Sequence, residues 1–92
     1  MAVAVAERMV HVVNELGLHA RPSAEFVKLA SQFQSEVSLG REEMRVNGKS
    51  IMGVMTLAAE CGCELSIRTE GDDAEAAAQA LADLVNRGFS ET

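Results

Sequence analysis

Alternating apolar and polar positions predict four short strands in this chain. In the first, Val10 and Val12 would lie on one face and His11 on the other. The predicted strands cover residues 9–14, 36–39, 44–46 and 64–69. We interpret the apolar residues 1–8 as a frayed lead-in to the first strand. Residues 40–43 are expected to connect the two middle strands as a hairpin.

Three segments repeat their apolar residues at helical spacing. The first helix is predicted over residues 20–33, and Ser50 would cap a second over residues 51–57. A third would start at Gly71-Asp72-Asp73 with a carboxylate cap and end at Gly88. The apolar positions are Phe26, Val27, Ala30 and Phe33 in the first helix and Ala74, Ala77, Ala78, Leu81, Leu84 and Val85 in the last.

The predicted elements follow one another in the order β-α-β-β-α-β-α. Because the strands alternate instead of running continuously apolar, one face of the sheet is expected to be solvated. An α+β fold satisfies this pattern, with a four-stranded antiparallel sheet and the helices packed on its other face. A chain of 92 residues fits one domain, residues 1–92.

Charge and composition exclude several classes of partner. The formal net charge of −6 argues against nucleic acid, which needs a basic face. The apolar N-terminal stretch is too short for a membrane span and lacks a basic signal region, so we expect no membrane insertion. The two cysteines do not form a secreted disulfide framework. We therefore expect a cytoplasmic protein.

The start of the first predicted helix carries an imidazole and a guanidinium, His19 and Arg21. The first N–H groups of a helix lack intrahelical partners, and together with the helix dipole they attract anions such as phosphate. This position also disfavours a protonated imidazole, and the neutral form is a nucleophile. Arg21 would add donors that suit phosphate oxygens. By spacing alone, however, a surface histidine and a solvated arginine remain the simpler interpretation. The capping residue stays open, with His19 as one choice.

Two other patterns do not predict sites. The NGKS sequence resembles a phosphate-binding loop, but Glu43 stands where that loop requires glycine. The thiol and imidazole side chains that could hold a metal are Cys61, Cys63, His11 and His19. Their spacing does not fit zinc geometry, so we expect no metal and no cofactor.

Three longer stretches carry a resemblance to a known family. They are LGLHARPSAEFVKLA at residues 16–30, NGKSIMGVMTLAAECG at 47–62 and ELSIRTEGDDAEAAAQAL at 64–81. They resemble, in this order, the active-site segment, the regulatory-serine signature, and the last strand and helix of the histidine-containing phosphocarrier (HPr) family. This family serves the bacterial phosphoenolpyruvate-dependent sugar phosphotransferase system. The resemblance extends from about residue 9 to 89. It implies an open-faced β-sandwich with three helices on one side.

The resemblance also implies a function, that of a phosphoryl carrier. In the family, phosphoenolpyruvate phosphorylates enzyme I, which phosphorylates the ring Nδ1 of the active histidine. The phosphoryl group then passes to enzyme IIA domains. By position, His19 is this histidine, Arg21 is the phosphate-site arginine and Ala20 stabilises the phosphate beside it. Such a carrier is a protein substrate without turnover of its own, and we expect a monomer.

Further roles follow from the second signature. In many bacteria an ATP-dependent kinase phosphorylates the family serine, here Ser50, whereas some relatives keep the serine without the kinase. Whether a serine kinase or phosphorylase is a partner therefore stays open. Arbitrary Ile and Met residues at helical spacing usually belong to the core, but in this family they form an exposed docking patch beside the histidine. The implied docking residues are Ala20, Ala24, Ile51, Met52 and Met55.

Two alternatives to a sugar-branch carrier stay open. One is the nitrogen-related phosphotransferase paralogue, which has the same chemistry and other partners. The other is a regulatory binding module that acts through Ser50 and the apolar patch. Members of that kind lack the histidine, so His19 and Arg21 argue against it.

Overall fold

The computed structural model describes residues 3–90 of the chain. The elements are β1 (Val5–His11), α1 (Ala20–Ala30), β2 (Glu36–Arg41), β3 (Met44–Asn47), α2 (Ile51–Thr56), β4 (Glu64–Glu70) and α3 (Ala74–Asn86). The strands form one antiparallel sheet in the order β1-β4-β2-β3. The predicted order of elements is confirmed.

Strand β4 lies inside the sheet and organises it. It pairs with β1 over seven residues and with β2 on its other side. Its Leu65, Ile67 and Thr69 are buried, whereas the residues between them are exposed or half-buried. A period of two along the strand therefore separates a dry face from a wet face, as the alternation predicted.

All three helices cover the dry face of the sheet. They contribute to the same buried cluster as the inward-facing strand residues. The helical members are Phe26 and Ala30 from α1, Val54 from α2, and Leu81, Ala82, Leu84 and Val85 from α3. The predicted α+β fold, an open-faced β-sandwich with three helices on one face, is confirmed. Within residues 3–90, the helices are too short and too polar to cross a membrane.

Strand β1 begins at Val5 and not at residue 9. The interpretation of residues 5–8 as a frayed lead-in is therefore wrong; residues 1–2 of that lead-in lie outside the described part of the chain. The reason is tertiary, because β4 offers backbone partners as far as Glu70, which pairs with Val5. At its other end β1 stops at His11, although the Val12 N–H still donates to the Cys63 carbonyl at 2.9 Å.

Helix α1 ends at Ala30, before the predicted end at residue 33. The N–H groups of Gln32 and Phe33 donate to carbonyls three residues back, at Leu29 and Ala30. Such bonds tighten the last turn and terminate the helix. Phe33, assigned to the apolar stripe of the helix, lies half-buried beyond its end.

The hairpin connection is shorter than predicted because β2 continues through Gly40 to Arg41. Only residues 42–43 connect β2 to β3. A Cβ on Gly40 would collide with the guanidinium of Arg45, which donates to the Ser66 hydroxyl at 3.0 Å. Gly40 thus lets the Arg45 side chain cross β2 to reach β4, and it is a strand residue and not a turn residue. The other boundaries differ from prediction by at most two residues.

Asp73 precedes α3, but its carboxylate makes no capping hydrogen bond to the helix. It accepts instead from the N–H groups of Gln34 and Ser35, each at 2.9 Å, and from the Ser35 hydroxyl. These bonds, led by the Ser35 hydroxyl, hold the pKa of Asp73 below its ordinary value of 3.8. The predicted carboxylate cap is wrong: Asp73 ties the start of α3 to the connection between α1 and β2.

We expect Asp73→Asn to lower the melting temperature at neutral pH. A folded pKa below the unfolded value means that the stabilisation is complete above the unfolded pKa and is lost as pH falls through the folded pKa. The difference between variant and wild type should therefore close in acid. Thermal unfolding across this pH range measures it, with Asp72→Asn, an exposed neighbour, as the matched control. A difference that stays constant with pH would contradict the assignment.

Candidate functional site

The turn in front of α1 is fixed by its own hydrogen bonds. The Asn14 side-chain amide donates to the Gly17 carbonyl at 2.7 Å, and the Gly17 N–H donates back to the Asn14 carbonyl at 3.1 Å. Gly17 has φ +68, a left-handed conformation that glycine adopts without strain. The next N–H, of Leu18, donates to the Ala59 carbonyl at 2.9 Å, and the Leu18 side chain is buried. The segment before His19 is thus anchored on the chain that follows α2.

His19 is the N-cap of α1, which answers the question that the sequence left open. Its backbone is extended, with φ −75 and ψ −169, and its carbonyl accepts from the Ser23 N–H at 3.1 Å. Its side chain makes no capping hydrogen bond. The buried Ser23 hydroxyl instead donates to the Leu18 carbonyl at 3.1 Å. Ser23 therefore secures the start of the helix, and the half-buried imidazole is not used as a cap.

The first turn of α1 offers donors at the surface. Ala20 and Arg21 are exposed, and the following Pro22 is buried. N–H groups of a first helical turn have no intrahelical acceptor, and they lie at the positive end of the dipole. Within residues 3–90, the Arg21 guanidinium makes no hydrogen bond or ion pair. The structure thus combines His19, Ala20 and Arg21 at one exposed helix start, as predicted.

Ser50 caps α2, as the sequence predicted. Its backbone is extended, and its hydroxyl oxygen accepts from the Gly53 N–H at 3.1 Å. The preceding Lys49 ammonium donates to the Phe33 carbonyl at 2.8 Å, beyond the end of α1. The start of α2 is therefore tied to the region where α1 ends.

An apolar surface lies along α2. Met52 is 81% exposed, Ile51 43% and Met55 41%, whereas Val54 on the opposite side of the helix is buried. We call Ile51, Met52 and Met55 the α2 patch. Their helical spacing alone favoured core positions, and their exposure shows that this simpler interpretation is wrong. On the neighbouring α1, Ala20 and Ala24 are also exposed.

The two ends of α2 contact different parts of the α1 region. Lys49 at its start bonds to Phe33, and Ala59 beyond its end bonds to Leu18, next to His19. By these connections, the Met55 end of α2 is the end nearer to the histidine. Ser50 is at the opposite end of a six-residue helix, about 9 Å long. Ser50 is therefore associated with the α2 patch and not with the imidazole itself.

Two residues near this site carried no clear signal in the sequence. Leu16, three positions before His19, is 72% exposed because the Asn14–Gly17 turn directs it outward. Glu25 on α1 accepts from both the N–H and the hydroxyl of Ser90, at 3.1 and 2.6 Å. The Ser90 hydroxyl is the main cause that lowers the pKa of Glu25, with smaller contributions from Arg21 and Arg87. An acidic residue on a helix surface does not by itself indicate such a bond.

The cysteines lie in the turn between α2 and β4. The Cys63 N–H donates to the Glu60 carbonyl at 2.9 Å, and the Glu60 N–H donates to the Cys63 sulfur at 3.3 Å. Both thiols are free, and Cys61 is exposed. Between Val3 and Ser90, no three His, Cys, Asp or Glu side chains cluster in a way that would hold a metal ion.

One recess of the surface lies away from the histidine. One open groove of about 530 Å³ crosses β2, β3 and β4 on the wet side of the sheet and includes Glu36, Arg45 and Arg68. It contains none of the residues of the helix start. At the helix start itself, Ala20 and Arg21 are exposed, so the donors that they offer lie at the surface.

The fold is a small open-faced β-sandwich with a half-buried histidine at a helix start, and comparisons with known proteins identify the family. The family model described as "PTS HPr component phosphorylation site" matches residues 6–87. The phosphocarrier protein HPr of Neisseria meningitidis serogroup A is 48% identical over 85 residues, covering 92% of this chain and 96% of that protein. The HPr of Treponema pallidum is 49% identical over 84 residues, covering 91% and 96%.

A solved structure agrees. HPr-C-His from Thermoanaerobacter tengcongensis matches with a TM-score of 0.90 and 42% identity, covering 95% of this chain and 98% of that one. The chain belongs to the HPr family of phosphocarrier proteins of the phosphotransferase system.

We expect Gly17→Ala to destabilise the fold more than Gly62→Ala. Both glycines have positive φ, +68 and +95, so alanine adds about 1–2 kcal/mol of backbone strain at either one. A Cβ on Gly17 would also collide with the Ala59 carbonyl oxygen, whereas one on Gly62 would meet nothing within 4 Å. The extra loss at Gly17 should be roughly 1–3 kcal/mol. Urea unfolding of both variants measures the difference, and equal losses would contradict the close approach.

Proposed function

We propose that this protein accepts a phosphoryl group from phospho-enzyme I on His19 and passes it to enzyme IIA domains. The observation that carries the proposal is the position of His19 as the N-cap of α1, with Arg21 exposed in the first turn. Membership of the HPr family supports it. The phosphoryl group comes ultimately from phosphoenolpyruvate.

The proposed transfer needs a neutral imidazole and compensation of charge. The lone pair of His19 Nδ1 attacks phosphorus and a nitrogen–phosphorus bond forms, while the bond from phosphorus to the donor group of enzyme I breaks and its electron pair leaves with that donor. The transferred group carries negative charge on its oxygens. The first-turn N–H groups of Ala20 and Arg21 and the Arg21 guanidinium are the donors in reach of such a group. Passage to enzyme IIA reverses these roles, because phosphoryl transfer depends chiefly on positioning and electrostatic stabilisation.

We propose that partners dock on the α2 patch together with Ala20 and Ala24. The exposure of all five residues supports this role. Methionine is flexible and polarisable, so such a surface can fit partners of different shape. Because enzyme I and enzyme IIA must reach the same histidine in turn, we propose a monomer that acts in the cytoplasm. A nitrogen-related branch would use the same surface with another donor.

We further propose Ser50 as a regulatory phosphosite. Its half-buried hydroxyl caps α2 beside Ile51, so a phosphate there adds roughly two negative charges at the edge of the α2 patch. Negative charge suits the start of a helix. Phosphorylation would therefore leave the fold intact and oppose docking. A serine kinase or phosphorylase would be the partner that controls it.

We expect enzyme I and phosphoenolpyruvate to load one acid-labile, base-stable phosphoryl group on His19. His19→Ala should abolish the loading because it removes the nucleophile. His11→Ala is the matched control, since His11 lies on the wet face of the sheet, 3.7 Å from the Glu64 carboxylate. Intact-mass measurement detects the added group. Continued loading of His19→Ala, or loss of loading in His11→Ala alone, would refute the assignment.

Ser50→Asp should bind enzyme I about tenfold more weakly than wild type, since a partner that buries the α2 patch must desolvate the carboxylate. Asp and Asn both cap helices well, so neither variant should disturb α2. Ser50→Asn, a neutral cap of similar shape, is therefore the control and should bind nearly normally. Titration calorimetry compares the two. Equal affinities would leave Ser50 as a structural cap without a regulatory role.

A further inference from the structure

Glu25 lies one helical turn beyond Arg21 and faces a second segment of the chain. Residues four apart on a helix are surface neighbours. The Glu25 carboxylate is not free to turn, because the N–H and the hydroxyl of Ser90 hold its two oxygens, at 3.1 and 2.6 Å. Ser90 follows the buried Phe89, so the anchor is itself attached to the core. A fixed negative charge therefore stands beside the proposed phosphate-site arginine.

Two cations lie close enough to this carboxylate to help lower the pKa of Glu25, Arg21 on the same helix and Arg87 just after α3. Between residues 3 and 90, Arg21 makes no direct ion pair. The Glu25 carboxylate therefore attracts the guanidinium but does not hold it in one position. A phosphoryl group on His19 would attract the same guanidinium. The carboxylate and the phosphoryl group would then compete for one cation.

We propose that Glu25 is a positioning residue for Arg21, which it draws along α1 and away from a phosphoryl group on His19. This inference rests on the proposed function. Its consequence is that the phosphohistidine is held less tightly than Arg21 alone would hold it. A carrier benefits from this arrangement, because a group that is bound too well is not passed on.

The first test uses the unphosphorylated protein and the NMR signal of the Arg21 side-chain Nε–H. Glu25→Gln keeps the shape of the side chain and removes its charge, so this signal should shift. Glu43→Gln, in the connection between β2 and β3, makes the same change in net charge at a remote site and should leave the signal in place. An unmoved Arg21 signal in Glu25→Gln would overturn the proposal, whether or not the protein carries phosphate.

The second test measures the lifetime of phosphohistidine after loading with enzyme I and phosphoenolpyruvate. Glu25→Gln should lengthen the lifetime about twofold, the scale of one neighbouring charge on a helix. Ser90→Ala, which keeps the charge but releases its anchor, should have a smaller effect in the same direction. Glu43→Gln should match wild type.

A double-mutant cycle separates positioning from a general effect of charge or stability. In the Arg21→Ala background, Glu25→Gln should no longer change the lifetime, because the residue acts through Arg21. An equal change in both backgrounds would overturn the proposal. Failure of wild type itself to load would refute the proposed function instead, and the Arg21 signal would still decide the position of that side chain.

Discussion

The close approach of Gly17 to the Ala59 carbonyl determines where the functional helix begins. Only a residue without a Cβ fits there, and its left-handed conformation directs the chain so that the Leu18 N–H meets the same carbonyl. His19 follows two residues later and is the N-cap. A single backbone contact thus connects the end of α2 with the start of α1, and the position of the histidine depends on it.

The carboxylates of Asp73 and Glu25 accept hydrogen bonds from residues that are distant in sequence. Asp73 holds the connection between α1 and β2, and Glu25 holds the chain beyond α3. Each accepts a backbone N–H and a hydroxyl from a single serine, which gives a charge-assisted anchor at the surface. These hydrogen bonds fix the ends of α1 and α3 without large side chains. The position of the helices therefore does not depend on the small core alone.

The exposure of the helix start suits the proposed transit of a phosphoryl group through His19. Arg21 is exposed and His19 is half-buried, whereas the open groove on the wet face of the sheet has no part in the helix start. A pocket would enclose the phosphoryl group and exclude a partner protein. A helix start instead offers fixed N–H donors on one side and leaves the other side open. The apolar α2 patch nearby is a surface that a partner can bury.

Local pattern determined much of this protein. Strand alternation, the Ser50 cap and the His19–Arg21 pair are visible within a few residues, because each depends on spacing and on the chemistry of single side chains. The resemblance of three stretches to one family added the proposed roles of those residues. The open-faced sandwich followed from both.

Tertiary structure decided the features that depend on residues distant in sequence. Residues 5–8 form a strand because β4 provides partners for them, and Gly40 stays in β2 because it pairs with Arg45 of β3 and Ser66 of β4. Asp is a common helix-capping residue, but the carboxylate of Asp73 accepts instead from the N–H and the hydroxyl of Ser35. The methionines of α2 repeat like core residues, yet the face they occupy has no element above it within residues 3–90. In each case the deciding partner is distant in sequence, so spacing along the chain could not reveal it.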